Sequence, residues 1–147
     1  MWRNPAYNEG AHRDQWAAIE GRLPARRESV LDLGCGTGRL SERLASLFPS
    51  YTGVDLDTMV EEARRRNPGL AGRYETASVQ EYAYPRDRFD LVLSMACLAS
   101  ACTAADLRAL APRLLRSVRP GGRVILVDPF HRFPPLVRTC RITSREV

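Results

Sequence analysis

The sequence contains no lysine, and all 22 of its basic side chains are arginines, against 17 acidic residues and two histidines. The resulting formal net charge of +5 could attract nucleic acid or another polyanion. However, the arginines are spread over nearly every segment, and only 26–27 and 64–66 form short runs. We therefore expect most of them to lie on a solvated surface, with nucleic acid as an alternative rather than the favoured partner.

Long apolar runs are also absent. No stretch reaches the ~18 consecutive apolar residues of a transmembrane helix, and the N-terminus (MWRNPAYNEG) lacks the charged-then-apolar pattern of a secretory signal. The four cysteines, at 35, 97, 102 and 140, match neither a paired C-x-x-C zinc pattern nor a small disulfide scaffold. We expect free thiols, no metal site, no membrane association and a cytoplasmic location.

The length of 147 residues and the hydrophobic content of 44% suit one globular domain with a substantial core. Within residues 1–147 we expect an N-terminal lid or helical segment at 1–27 and a central core at 28–128. Residues 129–147 would be an incomplete C-terminal segment, because a capping-box pattern starts a helix at Thr143 just before the sequence stops.

Strand-like and helix-like patterns alternate along the central core. Strands are predicted at 30–33, 51–54, 73–76, 89–94 and 123–127, and helices at 14–22, 40–48, 58–66 and 107–118. A short helix is also expected after Ser78, and capping boxes are predicted at Thr58, Ser78 and Thr103. This alternation predicts an α/β fold, with a doubly wound parallel sheet and helices on both faces.

The most informative stretch is VLDLGCGTGRL at 30–40, where a buried strand leads through three glycines into a helix. Such a turn lets the backbone approach a nucleotide closely. A dinucleotide fold wants glycine at the sixth position of the loop, where this sequence has Arg39. Asp32, just before the loop, disfavours a phosphate and suits a cationic ligand. Asp55, at the end of the second strand, is placed to accept the hydroxyls of a ribose.

With these residues in place, the sequence resembles the class I S-adenosylmethionine-dependent methyltransferases from about Val30 to Asp128. The resemblance is carried by VLDLGCGTG, GVDLD, FDLVLS and LLRSVRPGGRVILVD, which occur in the order and spacing of the family. It implies a Rossmann-like sheet with strand order 3-2-1-4-5. It also implies that the helix and hairpin following the fifth strand in the family are missing or truncated here.

The resemblance further implies a set of residues around S-adenosylmethionine, with S-adenosylhomocysteine as the product. The glycine loop and Asp32 would hold the methionine portion, Asp55 the ribose, and Leu56 the adenine. Serine stands at position 78, where the family often has aspartate. Cys35 is expected to be a small loop residue rather than a nucleophile. The implied cofactor-binding residues are Asp32, Gly34, Cys35, Gly36, Gly38, Asp55, Leu56, Ser78, Val79, Ser94 and Met95.

The methyl acceptor is less well determined. A small molecule methylated on oxygen or nitrogen is the leading hypothesis, with RNA or protein methylation as an alternative. His131 is the candidate general base, and Tyr7 is a candidate lid or substrate contact. A third hypothesis is a non-catalytic binding module or a truncated fragment. In that case the open edge of the fifth strand would favour a homo-oligomer.

Overall fold

The computed structural model describes residues 5–128, with side chains from Arg13 onward. Five helices, five strands and one 3-10 helix occur in this part of the chain. In order they are α1 (Pro5–Glu20), β1 (Ser29–Leu33), α2 (Ser41–Leu47), β2 (Ser50–Asp55), α3 (Asp57–Arg66), the 3-10 helix (Pro68–Arg73), β3 (Tyr74–Thr76), β4 (Phe89–Met95), α4 (Leu98–Ala101), α5 (Ala104–Ser117) and β5 (Val118–Val127). No helix among the described residues is long and apolar enough to cross a bilayer.

The five strands form one parallel sheet in the order β3-β2-β1-β4-β5, which confirms the predicted topology. Leu33 pairs with Val54 on one side and with Ser94 on the other. The carboxyl ends of β1, β2 and β4 therefore meet at one edge of the sheet, where open α/β sheets bind ligands.

Helices cover both faces of the sheet, as predicted. Val30 belongs to a buried cluster that also contains Trp16 and Ile19 of α1 and apolar residues of α2 and α3. Its neighbour Leu31 belongs to a second cluster with residues of α4 and α5. Successive side chains of a strand point to opposite faces, so the central strands β1 and β4 are buried on both sides.

Several helix starts differ from the prediction. The first helix begins at Pro5 rather than at 14, although Trp16 and Ile19 are buried as expected. The capping box at Thr58 is wrong, because α3 already starts at Asp57 and its N-cap, Leu56, makes no side-chain bond. Ser78 and Glu81 do form reciprocal hydrogen bonds, but these close a turn rather than a helix. The predicted capping box at Thr103 is confirmed.

The fifth strand is longer than predicted. It starts at Val118 rather than at 123, so the Pro-Gly-Gly sequence at 120–122 lies within the strand. The pairing with β4 shifts between Phe89 and Leu91, and Gly121 has a φ of +81°. A local irregularity of this kind accommodates the Pro-Gly-Gly sequence without ending the strand.

A buried carboxylate joins the amino ends of β1 and β4. Asp90 accepts hydrogen bonds from the backbone N–H groups of Glu28 and Ser29, both at 2.9 Å. Burial opposes its ionisation, but these bonds and the nearby Arg119 outweigh that effect and lower the pKa of Asp90. The network fixes the two central strands at the end opposite the carboxyl edge.

Candidate functional site

A cavity of about 610 Å³ lies at the carboxyl ends of β1, β2 and β4, and we call it the strand-end cavity. It is formed by the glycine loop after β1, the residues that follow β2, and the segment joining β4 to α4. Seven of the residues predicted to bind cofactor line it: Asp32, Gly34, Cys35, Gly36, Asp55, Leu56 and Met95.

The glycine loop is bonded to the end of β2. The backbone N–H groups of Gly34 and Cys35 both donate to the carbonyl of Val54, at 2.8 and 3.1 Å. The loop glycines have φ values of +56° to +76°, in the left-handed region that favours glycine. The loop also lies directly against the β4–α4 segment, because a Cβ added to Gly34 would collide with Cys97.

Asp55 connects the loop to the start of α3. Its Oδ2 accepts the N–H of Gly36 at 2.7 Å, and its Oδ1 accepts the N–H of Leu56 at 2.7 Å. Beside this carboxylate, Leu56 and Met59 are 58% and 38% exposed and present apolar surface to the cavity. A hydrogen-bonding carboxylate next to an apolar shelf suits the ribose and base of a nucleoside.

Asp32 is buried at the cavity wall, with only 3% of its surface exposed. The hydroxyl of Tyr51 donates to its Oδ2 at 3.0 Å, and Tyr51 in turn is hydrogen-bonded to Ser41 at 2.7 Å. Burial raises the pKa of Asp32 to about 7, and the Tyr51 bond partly opposes that rise. A cationic ligand in the cavity would hold this carboxylate in its ionised form.

Four predicted cofactor residues do not line the strand-end cavity: Gly38, Ser78, Val79 and Ser94. Gly38 lies against Asn67 and Tyr74, and its carbonyl accepts a hydrogen bond from the Asn67 side chain at 3.2 Å. Val79 is buried in the core, and Ser94 is fully buried with no partner for its Oγ among the described residues. Their roles toward a cofactor stay predictions. His131 lies outside the described residues, as does the side chain of Tyr7.

The structure adds lining residues that sequence reasoning missed: Thr37, Arg39, Leu40, Met59, Ala96, Cys97, Ser100 and Ala101. Those at 96–101 directly follow β4 at the carboxyl edge of the sheet, and this position after a strand is the sequence signal that could have identified them. Ala96 has a φ of +55° and donates its N–H to Val127 at 2.7 Å. Asp128 accepts the N–H of Ala99 at 3.0 Å. The end of β5 thus holds this segment over the cavity.

The two cysteines on the cavity wall are held in the thiol form. Burial raises the pKa of Cys97 to about 12, with a further contribution from Asp55. Burial and the charge of Asp32 also raise the pKa of Cys35 above its usual range. Since the thiolate is the nucleophile, neither is activated for nucleophilic chemistry. Within residues 5–128, no group of three or more potential metal ligands is placed to hold an ion.

The strand-end cavity fits a cationic nucleoside better than a phosphate ligand. Two carboxylates, Asp32 and Asp55, line it against one guanidinium, Arg39, and Leu56 and Met59 offer an apolar surface for a base. Together with the sheet order, this arrangement defines a Rossmann-like α/β protein with a site for a nucleoside cofactor. The chain matches the methyltransferase-domain family over residues 30–122. It belongs to that family and to the class I S-adenosylmethionine-dependent methyltransferases, whose cofactor suits this cavity.

The chain is 37% identical over 136 residues to a trans-aconitate 2-methyltransferase of Methylobacterium nodulans, covering 90% of this chain and 49% of that protein. It is 34% identical over 139 residues to the ribosomal protein L11 methyltransferase of Thermus thermophilus, covering 90% and 52%. An amino pentose methyltransferase of Micromonospora echinaspora, solved with S-adenosylmethionine bound, has a TM-score of 0.70 at 28% identity, covering 92% of this chain and 60% of that one. The chain spans about half the length of the curated relatives it matches.

Proposed function

We propose that this protein transfers the methyl group of S-adenosylmethionine to an oxygen or nitrogen of a small-molecule acceptor by in-line displacement. The observation that carries the proposal is the carboxylate of Asp55, which bridges the glycine loop and α3 at the wall of the strand-end cavity. No phosphate-binding pattern competes with this interpretation, because Arg39 takes the place of the glycine that a dinucleotide loop needs.

Different residues of the strand-end cavity would bind different parts of the cofactor. Asp55 would accept the ribose hydroxyls, and Leu56 and Met59 would pack on the adenine. Asp32 would face the positively charged methionine portion, where its ionised form gains a favourable Coulomb interaction. Gly34 and Gly36 leave the wall of the loop free of side chains, so that the ligand can approach the backbone.

When bound, the cofactor supplies an electrophilic methyl group on a sulfonium. The residues of the cavity then contribute mainly by holding the acceptor in line and close, since orientation alone can supply much of the rate enhancement of a displacement. Met95 and the 96–101 segment lie at the end of β4 on the wall of the same cavity, and they would shape the acceptor side. The role of His131 as a general base stays a prediction.

Small-molecule acceptors are favoured because relatives of this chain act on trans-aconitate and on an amino pentose. A protein acceptor is the second candidate, because another relative is named for methylating ribosomal protein L11. Incubation of an extract with methyl-labelled cofactor separates the two. Label in the small-molecule fraction supports the first candidate, and label in the protein fraction supports the second. Cofactor binding without any transfer would support a non-catalytic binding module.

Calorimetry tests the cofactor assignment most directly. We expect the protein to bind S-adenosylmethionine and S-adenosylhomocysteine and to leave NAD unbound. The substitution Asp55→Ala should weaken S-adenosylhomocysteine binding by ~1.5–3 kcal/mol, the range for hydrogen bonds to a charged group. Asp57→Ala is the matched control, because Asp57 is an exposed carboxylate two residues away that does not line the cavity.

If Asp55→Ala bound S-adenosylhomocysteine with the affinity of the wild type, Asp55 would serve only as a structural link between the loop and α3. NAD binding with no response to either methionine-derived ligand would overturn the cofactor assignment itself.

A further inference from the structure

A second cavity, of about 470 Å³, lies between α1 and the start of α2, and we call it the side cavity. Its wall includes Arg13, Trp16, Glu20, Arg39, Leu40 and Arg43. Arg39 and Leu40 also line the strand-end cavity, so the two cavities share a wall at these residues. A molecule seated in the side cavity would therefore lie next to the strand-end cavity.

The side cavity carries an excess of positive charge. Three guanidinium groups line it with a single carboxylate, Glu20. None of the three forms an ion pair within 4.0 Å of a described acidic residue, and only Arg39 interacts with a further carboxylate, Asp32 of the strand-end cavity. Arg39 donates only to the sulfur of Met95, at 2.8 Å, which is a weak acceptor. By contrast, Arg65 and Arg66 elsewhere both pair with one glutamate. An unpaired cluster of guanidiniums favours an anionic ligand.

Trp16 positions one of these guanidinium groups. The Cζ of Arg43 lies 4.0 Å from the centroid of the Trp16 ring, so the ring holds Arg43 at the wall of the side cavity. The side cavity thus presents the donors of Arg13, Arg39 and Arg43 to a ligand, with only one acidic group, Glu20.

We propose that the side cavity binds a carboxylate of the methyl acceptor, so that the acceptor is a di- or tricarboxylate. This inference rests on the proposed methyl transfer and names the substrate class for it. One carboxylate would be held by Arg13 and Arg43, while a second reaches the strand-end cavity past Arg39. A carboxylate is already ionised at neutral pH, so it needs no general base, and no histidine is found among the described lining residues of either cavity.

The chemistry of such a step balances without a proton transfer. An oxygen of the acceptor carboxylate forms a new bond to the methyl carbon as the bond from that carbon to sulfur breaks. The bonding electron pair stays on sulfur, so the sulfonium becomes a neutral thioether and the carboxylate becomes a methyl ester. No oxidant, reductant or further reactant is required.

The experiment measures equilibrium binding of trans-aconitate as a tricarboxylate probe, with its neutral trimethyl ester as the matched ligand. Titrations are run with and without saturating S-adenosylhomocysteine. The variants are Arg43→Gln and Arg13→Gln. The control is Arg108→Gln, which makes the same change in charge at an exposed position of α5 that lines neither cavity. We expect Arg43→Gln or Arg13→Gln to weaken trans-aconitate binding about tenfold, as for loss of one charge-assisted hydrogen bond.

Arg108→Gln should leave trans-aconitate binding unchanged, and the ester should bind at least about tenfold more weakly than the acid. Equal binding of acid and ester, no binding of the acid, or an equal loss in Arg108→Gln would overturn the proposal. Weaker S-adenosylhomocysteine binding in both side-cavity variants would assign these arginines to the carboxylate of the cofactor and would also overturn it.

The affinity for S-adenosylhomocysteine reports on the fold of each variant and tests the proposed function separately. Arginine-dependent trans-aconitate binding without any S-adenosylhomocysteine binding would refute methyl transfer while leaving the anion site in place.

Discussion

At the scale of single residues, Asp32 shows how a strand can impose chemistry on a side chain. Its backbone lies in β1 between two buried strands, so the carboxyl group is removed from water, and burial raises its pKa to about 7. In an unfolded chain an aspartate titrates near ~4. The folded protein thus holds the proton of Asp32 over a pH range in which the unfolded chain has lost it.

The sign of the effect on stability follows from this difference. Because the folded pKa is the higher one, the contribution of Asp32 to the free energy of unfolding is most favourable below pH ~4 and falls as pH rises to about 7. We expect Asp32→Asn to remove that fall, which is on the order of 4 kcal/mol over the full range. Urea unfolding of both proteins without ligand at pH 5, 6, 7 and 8 measures it. Parallel pH profiles would contradict the raised pKa.

Gly36 and Gly38 occupy the same loop but should respond differently to alanine. At Gly38, with φ +76°, a Cβ would collide with Asn67 and come within 2.9 Å of the Tyr74 hydroxyl, so we expect Gly38→Ala to cost ~2–4 kcal/mol of stability. At Gly36, with φ +56°, a Cβ meets nothing within 4 Å, and the cost should be only ~1 kcal/mol.

Gly36→Ala adds its methyl group at the wall of the strand-end cavity. It should therefore reduce the free energy of S-adenosylhomocysteine binding by more than it reduces the free energy of unfolding. Thermal unfolding and calorimetry on both variants separate the two effects. Equal destabilisation by the two substitutions would mean that backbone strain alone decides the cost at this loop.

At the scale of elements, the helix starts differ in how they are capped. Thr103 accepts the N–H of Asp106 at 3.2 Å, and the carboxylate of Asp106 accepts the N–H of Thr103 at 2.8 Å. The sequence pattern at Thr58 is similar, but there the chain is already helical. The reason is that the end of β2 and the bonds of Asp55 place the first turn of α3 earlier.

The two threonines provide a matched pair of substitutions. Thr103→Ala removes the Oγ1 that accepts the N–H of Asp106 and donates to its carboxylate, so the free energy of unfolding should fall by ~1 kcal/mol. Thr58→Ala, at an exposed position without a cap bond, should change it by less than ~0.5 kcal/mol. Urea denaturation measures both. A loss at Thr58 as large as that at Thr103 would show that α3 uses the predicted cap in solution.

At the scale of the whole molecule, the sheet has an open edge at β5. Strand β5 pairs with β4 and with no other strand among residues 5–128, while β1 and β4 have partners on both sides. Open edges favour pairing with another chain. Self-association through this edge stays a prediction, and light scattering should show a mass that rises with protein concentration. A monomer mass at every concentration would contradict it.

Local sequence patterns were sufficient to predict the strands of the sheet and the site residues at their carboxyl ends. The run from Val30 into the glycine loop, the aspartate that ends β2 and the apolar β4 each identify their element by short-range periodicity and by residues with special backbone preferences. Such signals depend only on neighbours in the chain, so the sequence alone is enough to place Asp32, Asp55 and Leu56 at the strand ends. The same signals located the start of α3 poorly, because tertiary bonds set it.

The contacts between distant segments were decided by tertiary structure alone. Arg13 and Arg43 meet at one cavity because α1 packs against the region of α2, and Cys97 lies against Gly34 because β1 and β4 are adjacent in the sheet. The periodicity of a segment does not predict which helix it packs against, because packing depends on the shapes of whole surfaces. The sequence by itself, through its resemblance to a known family, therefore predicted the strand order and the cofactor class. Only the packed molecule brought the arginines together beside the strand-end cavity.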